Sequence, residues 1–197
     1  MITKKTGRRH GRRTPMVLLI ALLCASCGTT THQTRFMHAN ADLGAIKSVA
    51  VLPFDTLAQD RNSGDKVQKI FYLELLSLNV FDVSEPGQVT KVVRGGGATI
   101  DALGPAEYQK IGKDLGVDGL FVGSVVDFAE GRSGSTPTPE ITIQLRLIET
   151  HSGTTIWSVG QTRSGAGMST RLFGVGGESL TEAARRVVRR ELRTLLK

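Results

Sequence analysis

The chain has 197 residues, 25 Lys+Arg against 18 Asp+Glu, a formal charge of +7 and a pI near 9.8. Six of those cations (Lys4, Lys5, Arg8, Arg9, Arg12, Arg13) and no acid fall in the first 26 residues; the rest holds 19 against 18, or +1, so the basic pI is not a nucleic-acid footprint. Both cysteines, Cys24 and Cys27, also sit near the N-terminus, which excludes a disulfide, a thiolate metal site or a cysteine nucleophile in the remainder.

In chain order, the basic segment is followed by Met16–Leu23, an uninterrupted run of eight apolar residues, and then by Cys24-Ala25-Ser26-Cys27-Gly28. A basic start, a short apolar stretch and small residues at the cut site make a secretory signal over 1–26, and eight apolar residues are too few to span a bilayer. Leu22-Leu23-Cys24-Ala25-Ser26-Cys27 resembles the lipobox, with Cys24 where Leu is typical. The resemblance implies cleavage by lipoprotein signal peptidase (signal peptidase II) between Ser26 and Cys27, and diacylglycerol on the Cys27 thiol. Gly28, in place of the Asp of inner-membrane retention, implies sorting to the outer membrane, lipid-anchored and facing the periplasm. A soluble secretory signal and an uncleaved anchor are the alternatives. Arg pairs at 8–9 and 12–13 hint at twin-arginine export, but the apolar residues expected just after them are missing.

Gly28–Ala45 is short of large apolar residues and shows no period, so 27–45 reads as a lipidated flexible tether; eighteen residues reach at most ~60 Å. The folded domain is expected over 46–197. Ile46–Phe54 is apolar on both faces, as a central buried strand is. Asn62 or Ser63 caps a helix over 64–78, a short strand follows at Val80–Ser84, and Pro86–Arg94 forms a brief helix ended by Gly95-Gly96-Gly97. Pro105 and Gly116 bracket a helix whose Tyr108, Ile111 and Leu115 share a face. Gly119–Phe128 is a second strand buried on both sides. Ala129–Pro139 reads as a polar connection; Ile141, Ile143, Leu145 and Leu147 then alternate with Thr142, Gln144 and Arg146, a strand with one wet face. His151-Ser152-Gly153 turns it into Thr154–Thr162. After a Gly-rich loop, Glu178–Leu196 is a terminal helix carrying a basic stripe of Arg185, Arg186, Arg189, Arg190, Arg193 and Lys197. The order β-α-β-α-α-β-β-β-α implies one α/β domain, a three-layer-like sandwich of a mixed sheet flanked by helices.

Three segments carry a resemblance: Val49-Ala50-Val51-Leu52-Pro53-Phe54; Leu115-Gly116-Val117-Asp118-Gly119-Leu120-Phe121-Val122-Gly123-Ser124-Val125; and Leu147-Ile148-Glu149-Thr150-His151-Ser152-Gly153-Thr154-Thr155-Ile156-Trp157-Ser158. Their order behind a lipobox resembles the periplasmic domain of curli-secretion (CsgG-type) lipoproteins, the peptidoglycan-synthase activator LpoB, the flagellar lipoprotein FlgO and the N-terminal domain of TolB. The resemblance implies an anticodon-binding-like α/β sandwich, a non-enzymatic outer-membrane lipoprotein, and a partner that is another envelope protein or a further copy of the chain.

A curli-type channel needs transmembrane hairpins inserted in this domain, each of two strands of ~9–11 residues. Ala129–Pro139 has eleven residues in all and Arg163–Gly177 has fifteen, Gly-rich and without alternation, which argues against a pore. Eighteen tether residues also suit a peptidoglycan-synthase activator poorly. Of the histidines, His10 lies in the signal, His32 and His38 in the tether and His151 in a turn, so none joins a triad or zinc set. Asp55, Asp60 and Asp65 follow the first strand without the density of an EF-hand loop. Gly174-Val175-Gly176-Gly177 lacks the Lys-Ser/Thr of a P-loop. No catalytic, cofactor or metal residue is therefore assigned; an enzyme remains an alternative. The basic stripe is either a solvated face or a contact for anionic lipid or an acidic partner.

Overall fold

A computed structural model describes residues 30–95, 103–133, 136–164 and 178–196. The signal segment, Cys24, Ser26, Cys27 and Gly28 lie outside the described residues, as do Gly96, Gly97, the loop 165–177 and Lys197.

Seven strands make one mixed sheet: β1 (Thr30–Met37), β2 (Ser48–Val51), β3 (Asp55–Thr56), β4 (Asp82–Val83), β5 (Gly119–Ser133), β6 (Thr136–Glu149) and β7 (Thr154–Ser164). Their order is β1-β7-β6-β5-β2-β4, with β3 beside β5. β2 runs parallel to β4 and β5, while β5, β6, β7 and β1 form an antiparallel meander. Four helices pack on it: α1 (Ser63–Leu78), α2 (Pro86–Gly95), α3 (Pro105–Leu115) and α4 (Leu180–Leu195). The expected α/β sandwich is what forms, as an open sheet.

Local chemistry sets the boundaries. Pro105 opens α3 without wasting an N–H, Glu107 Oε2 accepts the Gly104 N–H at 2.9 Å, and Gly116 closes the helix at φ 66°, where a side chain would be strained. Ser179 Oγ accepts the Glu182 N–H at 3.2 Å and so caps α4. Asn62 precedes α1 but makes no side-chain cap; its own N–H goes to Asp60 Oδ1.

The sheet has a core on each side. On one, α1 and α4 cover Phe121, Ile141, Ile143, Leu145, Leu147, Trp157 and Val159. Ala183 and Ala184 let α4 approach closely, and Val187, Val188, Leu192 and Leu195 complete its apolar stripe. Phe71, Phe121 and Trp157 pack edge to face, with centroids 5.1 Å and 6.4 Å apart in sequence, each pair worth about 0.5–1.5 kcal/mol beyond its burial. On the other side α2 and α3 cover only Ala50, Leu52, Leu120, Val122 and Ile148. β2 and the first half of β5 are thus buried on both faces, which is why they read as continuous apolar runs.

Two expectations are corrected. Residues 30–37, read as tether, are β1, paired with β7 through Thr30↔Ser164 to Met37↔Trp157. Backbone pairing stabilises this strand despite its polar side chains, and Met37 packs against the core. Ala129–Pro139, read as a connection, prolongs β5 and β6 as a two-stranded ribbon, Ala129↔Glu140 to Ser133↔Thr136. The start of β1, the end of β7, the end of β5 and the start of β6 therefore share one end of the sheet.

Candidate functional site

Strand register places the polar residues. Each strand alternates faces, so residues opposite the α1–α4 core line up on the other side in cross-strand rows. One row is Thr34, Gly160, Gln144, Ser124 and Asp55; its neighbours are Phe36, Ser158, Arg146 and Val122, and His32, Thr162, Thr142 and Asp127. α3 stops short of β7 and β1, and these rows, Asp127 excepted, line a trough of about 760 Å³. Its floor follows the small residues of β7, Ser158, Gly160 and Thr162. Thr142 and Thr162 hydroxyls are 3.2 Å apart, and Arg146 Nη2 donates to Tyr108 Oη at 3.4 Å. A Cβ on Gly160 would meet nothing nearer than Gln144 Cγ at 3.8 Å.

A second concavity of about 620 Å³ lies at the other edge of the sheet, walled by α1 and α2 with Val51 and Pro53 at its base. Its lining is mainly apolar, including Tyr72, Leu73, Pro86 and Val93. Burial first, and the charge of Glu85 second, hold the Tyr72 hydroxyl above its ordinary pKa.

The residues singled out in the sequence do not converge. Asp55 lines the trough and accepts the Thr56 N–H at 2.7 Å; Asp60 pairs with Lys66 at 2.7 Å; Asp65 sits in the first turn of α1 and lines the apolar groove. The Lys66 hydrogen bond, then the Asn62 N–H, hold Asp60 below the usual carboxylate range. His32 reaches the trough, His38 Nδ1 accepts the Asn40 N–H at 3.2 Å, and His151 is exposed in its turn. Among the described residues no three His, Cys, Asp or Glu side chains gather as a metal site.

Two motif residues have structural work. Asp118 Oδ2 accepts the Lys47 N–H, the Ser48 N–H and the Ser48 hydroxyl, each at 2.9 Å, joining the starts of β2 and β5. The Ser48 and then the Lys47 backbone hydrogen bonds lower its pKa. Gly153, at φ 70°, lies where a Cβ would strike the Pro105 backbone, so the hairpin turn is docked on α3.

The basic stripe is partly spoken for. Arg189 holds Glu74 of α1 through two hydrogen bonds of 2.9 Å and 3.1 Å, Arg185 approaches the same carboxylate at 3.7 Å, and Arg186 meets Glu178 at 3.2 Å. Glu178 also pairs with the buried Arg163 at 2.6 Å, tying the end of β7 to the start of α4. The sequence offered no signal for Glu191, which α4 turns into the core with both carboxylate oxygens unpartnered among the described residues; burial raises its pKa well above the ordinary value.

No family model matches the sequence, and no curated protein matches it. Solved structures share the fold. The PelC dodecamer from Paraburkholderia phytofirmans aligns with a TM-score of 0.60 at 16% identity, over 84% of this chain and 97% of that one. Lipoprotein GNA1162 from Neisseria meningitidis aligns at 0.54 and 18% identity, over 75% and 99%. The LpoB C-terminal domain from Escherichia coli reaches 0.46 at 18%, over 64% and 87%, too loose a likeness to bear weight. At these identities the likeness establishes fold. No helix among the described residues is long and apolar enough to cross a membrane.

Proposed function

We propose that the chain is a non-enzymatic lipoprotein of the outer membrane, anchored through Cys27, that works in the periplasm as an oligomeric accessory factor for an envelope process such as secretion, appendage assembly or peptidoglycan synthesis. The observation that carries this reading is the position of β1. It begins three residues after Cys27, a span of about 10 Å at most, so a lipid there sets the sheet's end against the bilayer. That short reach weighs against a synthase activator that must cross the periplasm. The fold it shares with PelC, a dodecamer, and with the lipoprotein GNA1162 supports anchoring and self-assembly. The trough, lined by hydroxyls, the amides of Gln144 and Gln161, the Arg146 guanidinium, the Asp55 carboxylate and the His32 imidazole, offers donors and acceptors for a polar partner. Metabolic lipid labelling with membrane fractionation and native mass tests the reading. Wild type is expected labelled, in the outer membrane and oligomeric, and Cys27→Ala unlabelled; an unlabelled wild type, or turnover that survives Cys27→Ala, overturns it.

A further inference from the structure

α4 lies along β7. Arg163 meets Glu178 at 2.6 Å at one end, and Trp157 Nε1 donates to Thr194 Oγ1 at 3.3 Å at the other. From Arg163 to Trp157 a strand covers about 20 Å, and from Leu180 to Thr194 a helix covers about 21 Å, so the two axes run side by side in opposite directions. α1 sits over β5 and holds Arg185 and Arg189 through Glu74. The opposite flank of α4, with Arg186 and Arg190, therefore looks over β1, and Arg193 lies between the two flanks on the exposed face.

β1 answers from below. Met37 packs against the core under α4, so Arg35 and Gln33, two and four residues before it, share that face of the sheet. Arg35 lies opposite Val159 and Gln33 opposite Gln161, about 7 Å and 14 Å from the level of Trp157. Arg190 and Arg186 lie about 6 Å and 12 Å along the helix from Thr194, which marks that same level. Arg35 thus stands level with Arg190, and Gln33 with Arg186. The far edge of β1 is unpaired among the described residues, which leaves an open notch between the helix flank and an edge strand eight residues long without proline.

The notch is positive and uncompensated. Among the described residues Arg35, Arg190 and Arg193 are exposed and meet no carboxylate, Arg186 shares Glu178 with Arg163, and β1 brings no acid. The choice of cation is uneven too. α1 and α3 carry lysines and no arginine, whereas α4 carries five arginines and no lysine. A merely solvated face takes lysine as readily; the planar guanidinium fork is suited to holding a carboxylate and is the cation enriched at interfaces.

We propose that this notch binds an extended acidic segment of another protein, which runs along the free edge of β1 and turns a carboxylate on every second residue toward Arg35, Arg190 and Arg193. Strand residues two apart repeat at about 6.8 Å, close to the rise between Arg186 and Arg190, so an alternating segment keeps pace with the arginines. The β1 edge offers backbone N–H and C=O groups that a peptide can pair in a ladder and an anionic glycan cannot. Lipid is excluded through the anchor at Cys27 proposed above, whereas the notch itself depends only on register and charge. An anchor at the Thr30 end makes α4 climb away from the bilayer, with Arg190 and Arg193 about 15 Å and 20 Å past its first residue, beyond the ~8 Å over which surface charge is felt at physiological salt.

The probe is a dye-labelled peptide in which Glu and Val alternate, titrated onto the full-length lipidated protein in phosphatidylcholine liposomes. Saturable binding is expected, weaker as salt rises, with no binding of the same peptide carrying Lys for Glu. Arg35→Glu with Arg190→Glu, both at exposed positions, is expected to weaken binding at least tenfold with thermal unfolding unchanged. Lys91→Glu, at an exposed cation of α2, is expected to leave it alone. Absent binding, or binding that the double variant keeps, overturns the inference. So does peptide binding abolished in liposomes containing phosphatidylglycerol, which assigns the notch to lipid, or tighter binding of a heparin fragment, which assigns it to a glycan. If wild type carries no lipid label yet binds the peptide with the same loss in the double variant, the anchor reading fails and the notch stands; a lipid-labelled wild type that ignores the peptide removes the notch and keeps the anchor.

Discussion

The sheet has two halves that treat their faces differently. Around β2 and β5 both faces are covered, by α1 and α4 on one side and α2 and α3 on the other. Across β6, β7 and β1, among the described residues, only the α4 side is covered, and the opposite face carries Thr, Ser, Gln, Arg and a glycine. The covered half takes apolar side chains on both faces; the half-covered one takes them at alternate positions and leaves the others polar. Burial and exposure therefore alternate along the same strand, and Trp157 and Ser158 are adjacent residues on either side of that division.

The sharpest break of this contrast is Trp157→Ala against Ser158→Ala. Trp157 is fully buried, touches Phe121 edge to face and donates to Thr194 Oγ1 at 3.3 Å, so its loss is expected to cost about 3–5 kcal/mol in denaturant unfolding. Ser158→Ala is expected within about 0.5 kcal/mol of wild type.

Next in size is Glu191, a polar group inside the α4 core. Its folded pKa is raised, so the folded state keeps a proton that the unfolded chain releases, and stability falls as pH climbs from about 4.3 through the folded value. Glu191→Leu is expected to gain about 1–3 kcal/mol at neutral pH and to flatten that slope, read from unfolding midpoints at pH 4 to 8.

Asp118 shows the opposite sign at the seam of β2 and β5. Its folded pKa is lowered, so its contribution is present above the unfolded value of about 3.9 and is lost as pH falls through the folded one. Asp118→Ala is expected to cost about 1–2 kcal/mol at pH 7, toward the low end because the carboxylate is partly solvated, with the difference from wild type shrinking in acid. The smallest effect belongs to the trough. Gly160→Ala meets open space at an ordinary backbone angle and is expected to gain about 0.5 kcal/mol while narrowing the floor; a thermal melt reads it.

Elements whose partners are local or whose burial is complete were readable from sequence. Pro105 and Gly116 bound α3, the continuous apolar runs gave β2 and β5, and alternation from Ile141 gave β6 with its wet face. β1 was not readable because Thr30–Met37 is held by backbone pairing to residues more than a hundred positions away and shows no apolar alternation. The ribbon was missed because Pro137, Pro139 and the Gly134-Ser135 pair signal a loop, although two such residues between strands also signal a tight hairpin. Of the trough, the β6 row was legible as polar positions and the contributions of β1 and Tyr108 were not, since only the three-dimensional register brings them together. Cys27 stands outside the described residues, and its assignment rests on the sequence.

The proposed lipid anchor at Cys27 has a mechanical consequence for β1. A lipid three residues before Thr30 would pull along the strand axis, at right angles to the hydrogen bonds between β1 and its antiparallel neighbour β7. Tension from the bilayer would then load all eight residue pairs at once, in shear, and would not peel them apart from one end. This edge strand, most of whose side chains are polar, is strung in the direction in which a ladder of weak bonds resists best.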